Sequence, residues 1–154
     1  MVFDKTGTLT QDGLEVLGHM AIQDCGDLGS LNSSCRIDFQ LALSVCHSLV
    51  CLDDSLIGDP LDIEMFTYAK SMNQVTLDSD SVFFNQERIK ILKRNEFESR
   101  LQRMSVVIQA QNSKKLLVKG SPEVICSMCK EVPKNFGEIL SEQTSKGYRV
   151  IAFG

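Results

Sequence analysis

The sequence predicts an α+β domain in which helices pack on a mostly antiparallel sheet. Two observations predict this class. Apolar residues recur with a helical period in residues 39–50 and again in residues 61–72. Two β-rich segments, 104–110 and 115–119, flank a polar turn at 111–114, which is typical of a hairpin. Because a hairpin pairs its strands antiparallel, the sequence favours this arrangement over a βαβ crossover.

The N-terminal third contains short strands, loops and one helix. Residues 2–3 predict a strand stub and residues 4–13 a loop, followed by a β-rich stretch at 14–22 and a glycine- and serine-rich loop at 24–34. The first helix is predicted from one apolar stripe, which consists of Phe39, Ala42, Leu43, Cys46, Leu49 and Val50.

The second helix has a clear start, because Asp59 can cap it and Pro60 suits its first position. Its predicted apolar side consists of Leu61, Met65, Tyr68, Ala69 and Met72. Residues 88–93 alternate as a strand.

The remaining elements follow the hairpin. Ser121 and Pro122 open a third helix by the same logic of a cap followed by proline. Phe136 marks a fourth helix, which Gly147 ends, and residues 148–153 predict a closing strand.

Composition limits the classes of function. The chain has 154 residues, enough for one ordinary domain, and a net charge of −4, which argues against a nucleic-acid partner because polynucleotide binding needs a basic face. No apolar run approaches the roughly 20 residues that cross a bilayer. We therefore expect the chain by itself to be cytosolic, with no direct membrane contact.

The six cysteines allow two interpretations. Cys126 and Cys129 have the two-residue gap of a zinc ligand pair, but a second pair with matching spacing is missing. We interpret the cysteines as thiols, buried or partly exposed, in preference to a zinc site or a disulfide framework.

The N-terminus carries a candidate phosphate site. Residues 4–10, DKTGTLT, place the Asp4 carboxylate after the strand stub, followed by hydroxyls and a glycine. Such a loop can cradle a phosphate, and a carboxylate held there can form an aspartyl phosphate.

These seven residues resemble the phosphorylation motif of the P-type ATPases at every position. The resemblance implies that Asp4 is the nucleophile that attacks the γ-phosphate of ATP, with Lys5 and Thr8 contacting the phosphate. It further implies that Asp4 and Thr6 bind Mg²⁺. In that family the motif lies in a haloacid-dehalogenase-like phosphorylation domain, of which residues 1–13 would be a stub and hinge. Residues 14–154 would then be the nucleotide-binding domain.

Three later segments are similar to the family's nucleotide-binding domain. KGSPE, residues 119–123, implies that Lys119 and Gly120 bind nucleotide. Residues 95–106 imply that Phe97 stacks on adenine and that Met104 lines the adenine pocket. GYRVIA, residues 147–152, implies that Arg149 reaches the ATP phosphates.

A fourth segment indicates the branch of the family. CHS at 46–48 and GDPLD at 58–62 resemble type V P-type ATPases, particularly their B branch of endolysosomal polyamine and cation transporters. Asp62 then aligns with the acidic residue that faces the adenine amino group. We interpret His47 as a helix residue rather than a ligand.

The resemblance covers a middle slice of a pump and implies ATP and Mg²⁺ as its cofactors. The implied partners are the pump's phosphorylation, actuator and transmembrane domains. We expect an ATP-binding part of a P-type cation or polyamine transporter, and we expect the isolated chain to be inactive. A stand-alone ATP-binding regulatory or decoy module without turnover is the alternative. A small dehalogenase-like phosphatase is disfavoured, because Thr6 stands where those enzymes carry an acid/base aspartate.

Overall fold

The structure is a computed structural model, and it describes residues 13–20, 33–53, 55–78, 81–110 and 113–154. The helices among these residues are α1 (Ser33–Val45), α2 (Pro60–Met72), α3 (Pro122–Met128) and α4 (Phe136–Ser145). The strands are β1 (Val50–Leu52), β2 (Ser55–Ile57), β3 (Val75–Leu77), β4 (Ser81–Phe84), β5 (Glu87–Glu98), β6 (Arg103–Ala110), β7 (Ser113–Gly120) and β8 (Ala152–Phe153).

Strands β3 to β8 form one six-stranded sheet in chain order, and each strand pairs antiparallel with the next. Strands β1 and β2 form a separate antiparallel hairpin. The predicted α+β class with a mostly antiparallel sheet and flanking helices is therefore confirmed.

Two helices begin where the sequence predicted. The Asp59 carboxylate accepts a hydrogen bond from the backbone N–H of Leu61 at 2.8 Å, and Pro60 is the first residue of α2. The Ser121 hydroxyl accepts from the backbone N–H of Val124 at 3.4 Å at the start of α3. In both helices the cap satisfies an N–H that has no partner within the helix.

The main core lies between the sheet and helices α1 and α2. One face of the sheet, here called the inner face, carries buried residues such as Ile89, Val106 and Ile108. Leu41 of α1 and Phe66 of α2 pack in the same cluster. The opposite, outer face carries exposed side chains such as that of Leu116. Most of the residues predicted to bind nucleotide lie on helix α2 or on the strands against which it packs.

Helix α1 is shorter at its C-terminus than predicted, because it ends at Val45 and not at Val50. Leu49 is still buried, but in the loop after the helix, where it packs closely against Gly58. Val50 belongs to β1 and is 61% exposed. The prediction extended the helix too far because Leu49 is buried at a position that fits the helical period, although it lies in the loop after the helix.

Three strand predictions were also inaccurate. The described part of the predicted β-rich stretch, residues 14–20, contains no helix or strand. His19 in this segment instead stacks on Phe39 of α1 and contacts the hydroxyl of Tyr68 of α2 at 2.7 Å, so side chains hold it against the helices. The closing strand covers only Ala152–Phe153, because β7 ends at Gly120, the partner of Ala152, and residues 148–151 lie beyond that end. Strand β5 runs five residues beyond the predicted end at residue 93.

Among the described ranges, no helix is both long enough and apolar enough to cross a bilayer.

Candidate functional site

A buried ion pair joins helix α2 to strand β7. The Lys119 ammonium contacts the Asp62 carboxylate, and the two side chains are only 8% and 12% exposed. Asp62 lies in the first turn of α2, where the helix dipole favours a negative charge. Its second carboxylate oxygen is 3.4 Å from the backbone N–H of Ser48, which donates to it. The structure thus brings together two residues that are predicted to bind nucleotide and lie far apart in sequence.

Met104 is the cross-strand partner of Lys119. Their Cα atoms are paired between β6 and β7, so both side chains point to the inner face. Met104 is 2% exposed and belongs to the main core cluster. Its packing role is therefore established by the fold, while a contact with a purine stays a prediction.

Gly120 occupies a position with no room for a side chain. A Cβ atom there would lie 2.6 Å from the backbone oxygen of Gln102 and 2.9 Å from the Cβ of Arg103. The close approach arises because Gly120 pairs with Arg103 where β6 begins. This glycine lets the β5–β6 turn lie tightly against the end of β7, beside Lys119.

Phe97 is brought to the same place by a bulge in β5. Asn95 pairs with Ser105 and Glu98 pairs with Arg103, so two residues of β5, Glu96 and Phe97, lie opposite the single residue Met104. Bulges change the direction of a side chain next to a site. The Phe97 side chain is 58% exposed, which leaves its ring available for stacking.

His47 lies two residues beyond the end of α1, so its assignment to the helix was wrong. The ring is buried and packs edge-on against Phe66. Its Nε2–H donates to the Ser44 carbonyl at 2.9 Å, and its Nδ1 accepts from the Leu49 N–H at 3.2 Å. Both nitrogens are satisfied by backbone, which is a structural role for a neutral imidazole.

Burial is the main cause of the shifted pKa values of His47 and Cys46, the two residues that follow α1. Desolvation lowers the pKa of His47 from 6.5 to about 4, because it disfavours the charged imidazolium. Desolvation also raises the pKa of the Cys46 thiol from 9.0 to about 12. Neither group is therefore charged at neutral pH, and the charges in this region are those of Asp62, Lys119 and a third residue, Arg94.

Arg94 was missed by sequence reasoning. It pairs with Val106, whose side chain is fully buried on the inner face. The predicted strand stopped at residue 93, and its alternation would have placed Arg94 on the outer face. No sequence pattern indicates that Arg94 points to the inner face. A bulge at Leu92 reverses the alternation, and a bulge is not visible in the apolar pattern.

The remaining predicted residues are not placed in this cluster. Arg149 is exposed and lies in the segment that leads into β8, three residues before Ala152 and therefore near the same edge of the sheet. Asp4, Lys5, Thr6 and Thr8 lie outside the described residues. Within the described ranges, no group of three or more acidic, histidine or cysteine side chains could hold a metal ion.

An antiparallel sheet with flanking helices, a buried acid–lysine pair and an exposed aromatic ring two strands from that lysine fits a nucleotide-binding module. A family model described as P-type ATPase, cytoplasmic domain N, matches residues 43–153. The chain therefore belongs to the P-type ATPase family, and the family resemblance drawn from its motifs is confirmed.

The relatives point to one group within that family. The chain is 34% identical to a polyamine-transporting ATPase 13A3 of Macaca fascicularis and 33% identical to a polyamine-transporting ATPase 13A2 of Homo sapiens. It is 36% identical to a probable cation-transporting ATPase 13A5 of Mus musculus. Each match covers 97% of this chain, whereas the chain spans only 16%, 15% and 14% of these relatives, respectively.

Proposed function

We propose that residues 14–154 bind ATP as the nucleotide-binding domain of an ATP-driven transporter of cations or polyamines. The observation that carries this proposal is the convergence of four residues at one edge of the sheet. Asp62 and Lys119 form a buried ion pair, Met104 lies beside Lys119 in the strand register, and the β5 bulge sets the exposed Phe97 opposite Met104.

Each residue has a role that its chemistry supports. The Phe97 ring stacks on the base, and the Asp62 carboxylate accepts a hydrogen bond from the exocyclic amine of adenine. Lys119 fixes the position of Asp62 and supplies a positive charge beneath the base. Arg149 reaches the phosphates from the segment before β8, and Gly120 keeps the backbone close to the site.

Residues 1–13 supply the chemical step within the same proposal, as the start of the phosphorylation domain and the hinge. The Asp4 carboxylate attacks the γ-phosphorus, the bond to the β–γ bridging oxygen breaks, and ADP leaves with that electron pair. Lys5 and Thr8 hold the transferred phosphoryl group. Asp4 and the Thr6 carbonyl would hold Mg²⁺, since they offer the hard oxygen ligands that it prefers, and the ion would supply charge neutralisation at the phosphates.

The location of the intact transporter is part of the proposal. Its relatives are named as polyamine- or cation-transporting ATPases, and this supports a transporter with the present domain on the cytosolic side. We propose an endosomal or lysosomal membrane, from the resemblance to the B branch of type V pumps. The other domains of the transporter, phosphorylation, actuator and transmembrane, are the proposed partners.

Calorimetric titration of the chain with Mg²⁺-free ATP tests the nucleotide site. We expect binding, and we expect Phe97→Ala to weaken it about tenfold or more, since stacking on one base contributes roughly 1–3 kcal/mol. Amide NMR signals around Phe97, Lys119 and Arg149 are expected to shift on addition of ATP.

Leu116→Ala is the matched control for loss of exposed apolar surface. Leu116 is 59% exposed, close to the 58% of Phe97, but it lies on the outer face of the sheet. This variant is expected to bind ATP as the wild type does. A folded chain that does not respond to millimolar ATP, or equal effects of the two substitutions, would contradict the proposed site.

A further inference from the structure

Arg94 is a charged residue placed on the covered face of the sheet by an irregularity in β5. Ile91 pairs with Ile108 and Lys93 pairs with Val107, so the extra residue Leu92 shifts the alternation by one position. Arg94 then pairs with Val106 and points to the inner face. A bulge that turns an arginine inward needs a compensating partner for its charge and its N–H groups.

Within the described residues, the guanidinium of Arg94 lacks such a partner. Its Nε atom is buried and has no hydrogen-bond acceptor there. Asp62 contacts Lys119 and accepts from the Ser48 N–H, but it forms no hydrogen bond or ion pair with Arg94. Asp62 and Lys119 balance each other's charge, whereas half-buried Arg94 leaves this region with one unused buried donor, its Nε–H.

Arg94 belongs to the same neighbourhood as the ion pair. The charges of Arg94, Asp62 and Lys119 all act on the Cys46 thiol and on the His47 imidazole at the end of α1. Arg94 pairs with Val106, two residues along β6 from Met104, which corresponds to about 6–7 Å. Along the strands, the Cα of Arg94 therefore lies further from the end of the sheet that carries Phe97, on the side away from Arg149.

This position along the strands decides which part of a bound nucleotide Arg94 contacts. The inference rests on the proposed function, in which Phe97 stacks on the base and Arg149 reaches the phosphates. A donor at this position then faces the edge of the base and not the phosphates. Arginine only donates and an ionised aspartate only accepts.

We propose that Arg94 donates a hydrogen bond to a purine ring nitrogen beside the exocyclic amine, and that with Asp62 it selects adenine over guanine. Adenine presents an amino donor next to a ring-nitrogen acceptor, which matches the Asp62 and Arg94 pair. Guanine presents the O6 acceptor where adenine has the amine, so the Asp62 carboxylate repels it. A site built to hydrogen-bond a substrate group discriminates strongly against analogues without that group.

The test measures dissociation constants of the 154-residue chain for ATP, GTP, 1-deaza-ATP and 7-deaza-ATP. The variants are Arg94→Met and Arg94→Lys, which keeps the charge, with thermal unfolding recorded for each. We expect the wild type to prefer ATP over GTP and to bind one deaza analogue about tenfold more weakly than ATP. Arg94→Met is expected to weaken ATP binding by a similar factor. Its affinity for that deaza analogue is expected to stay within about twofold of the wild type's.

Arg88→Met is the control, because Arg88 lies on the same strand but its side chain is 63% exposed and contacts Asp78. It is expected to leave all four constants unchanged. If both Arg94 variants bind ATP as the wild type does, or weaken all four nucleotides by the same factor, the inference is overturned while ATP binding stands. If the folded wild type and Arg88→Met both fail to bind ATP, the proposed function itself is overturned, and this inference with it.

Discussion

Replacing Lys119 by methionine removes the positive charge of the buried ion pair and keeps most of the side-chain volume. The Asp62 carboxylate would then retain one hydrogen bond, from the Ser48 N–H at 3.4 Å, in a site where its side chain is only 12% exposed. Removing one partner of a buried pair typically destabilises a protein by about 3–5 kcal/mol, because it leaves an uncompensated charge. We therefore expect Lys119→Met to lower the free energy of unfolding by about 3–5 kcal/mol, measured by urea denaturation with circular dichroism.

The same strand offers a matched control. Lys115 also lies on β7 and pairs with a helix carboxylate, Asp38, at 2.6 Å, but these side chains are 42% and 49% exposed. Lys115→Met is expected to change the free energy of unfolding by about 0–1 kcal/mol, since solvent screens an exposed pair. The double variant Asp62→Leu with Lys119→Met is expected to lose less than the two single variants together. Equal effects of Lys119→Met and Lys115→Met would refute the reasoning, because the pair could not then be buried.

Two further predictions concern stability. The unfolded chain protonates His47 near pH 6.5 and the folded chain near pH 4, so its stabilising contribution is present above pH 6.5 and is lost as the pH falls towards 4. His47→Gln is expected to remove a pH dependence on the order of 3 kcal/mol, and parallel unfolding curves of variant and wild type from pH 7.5 to 4 would contradict this. Gly120→Ala is expected to lose about 1–3 kcal/mol, because its Cβ would meet the Gln102 carbonyl oxygen at 2.6 Å. Gly137→Ala in α4, where a Cβ meets nothing within 4 Å, is expected to gain about 0.5–1 kcal/mol, and a similar loss in both variants would show that the contact at Gly120 is unimportant.

Much of the fold was predictable because its signals are local. The hairpin of β6 and β7 follows from alternation around a polar turn, and it is present with its turn two residues shorter than predicted. The starts of α2 and α3 follow from a capping side chain and a proline, whose effects reach only three or four residues. Strands β3 and β4 were not predicted, since three or four residues are too few to show a period.

The candidate site was predictable as a set of residues but not as an arrangement. Motif resemblance named Asp62, Lys119, Met104 and Phe97 without any geometry. It could not show that Lys119 and Asp62 pair, because the two residues are 57 positions apart and meet only when α2 packs on the sheet. Motif resemblance did not identify Arg94.

The sequence by itself determined the family and the order of the main elements, because these depend on local patterns and short motifs. Only the tertiary structure decided which face of β5 each residue occupies. The two bulges, at Leu92 and at Glu96 with Phe97, turn Arg94 inward and set Phe97 opposite Met104. The physical reason is that strand register is fixed by pairing with β6 and by packing against the helices, and a shift of one residue exchanges the two faces.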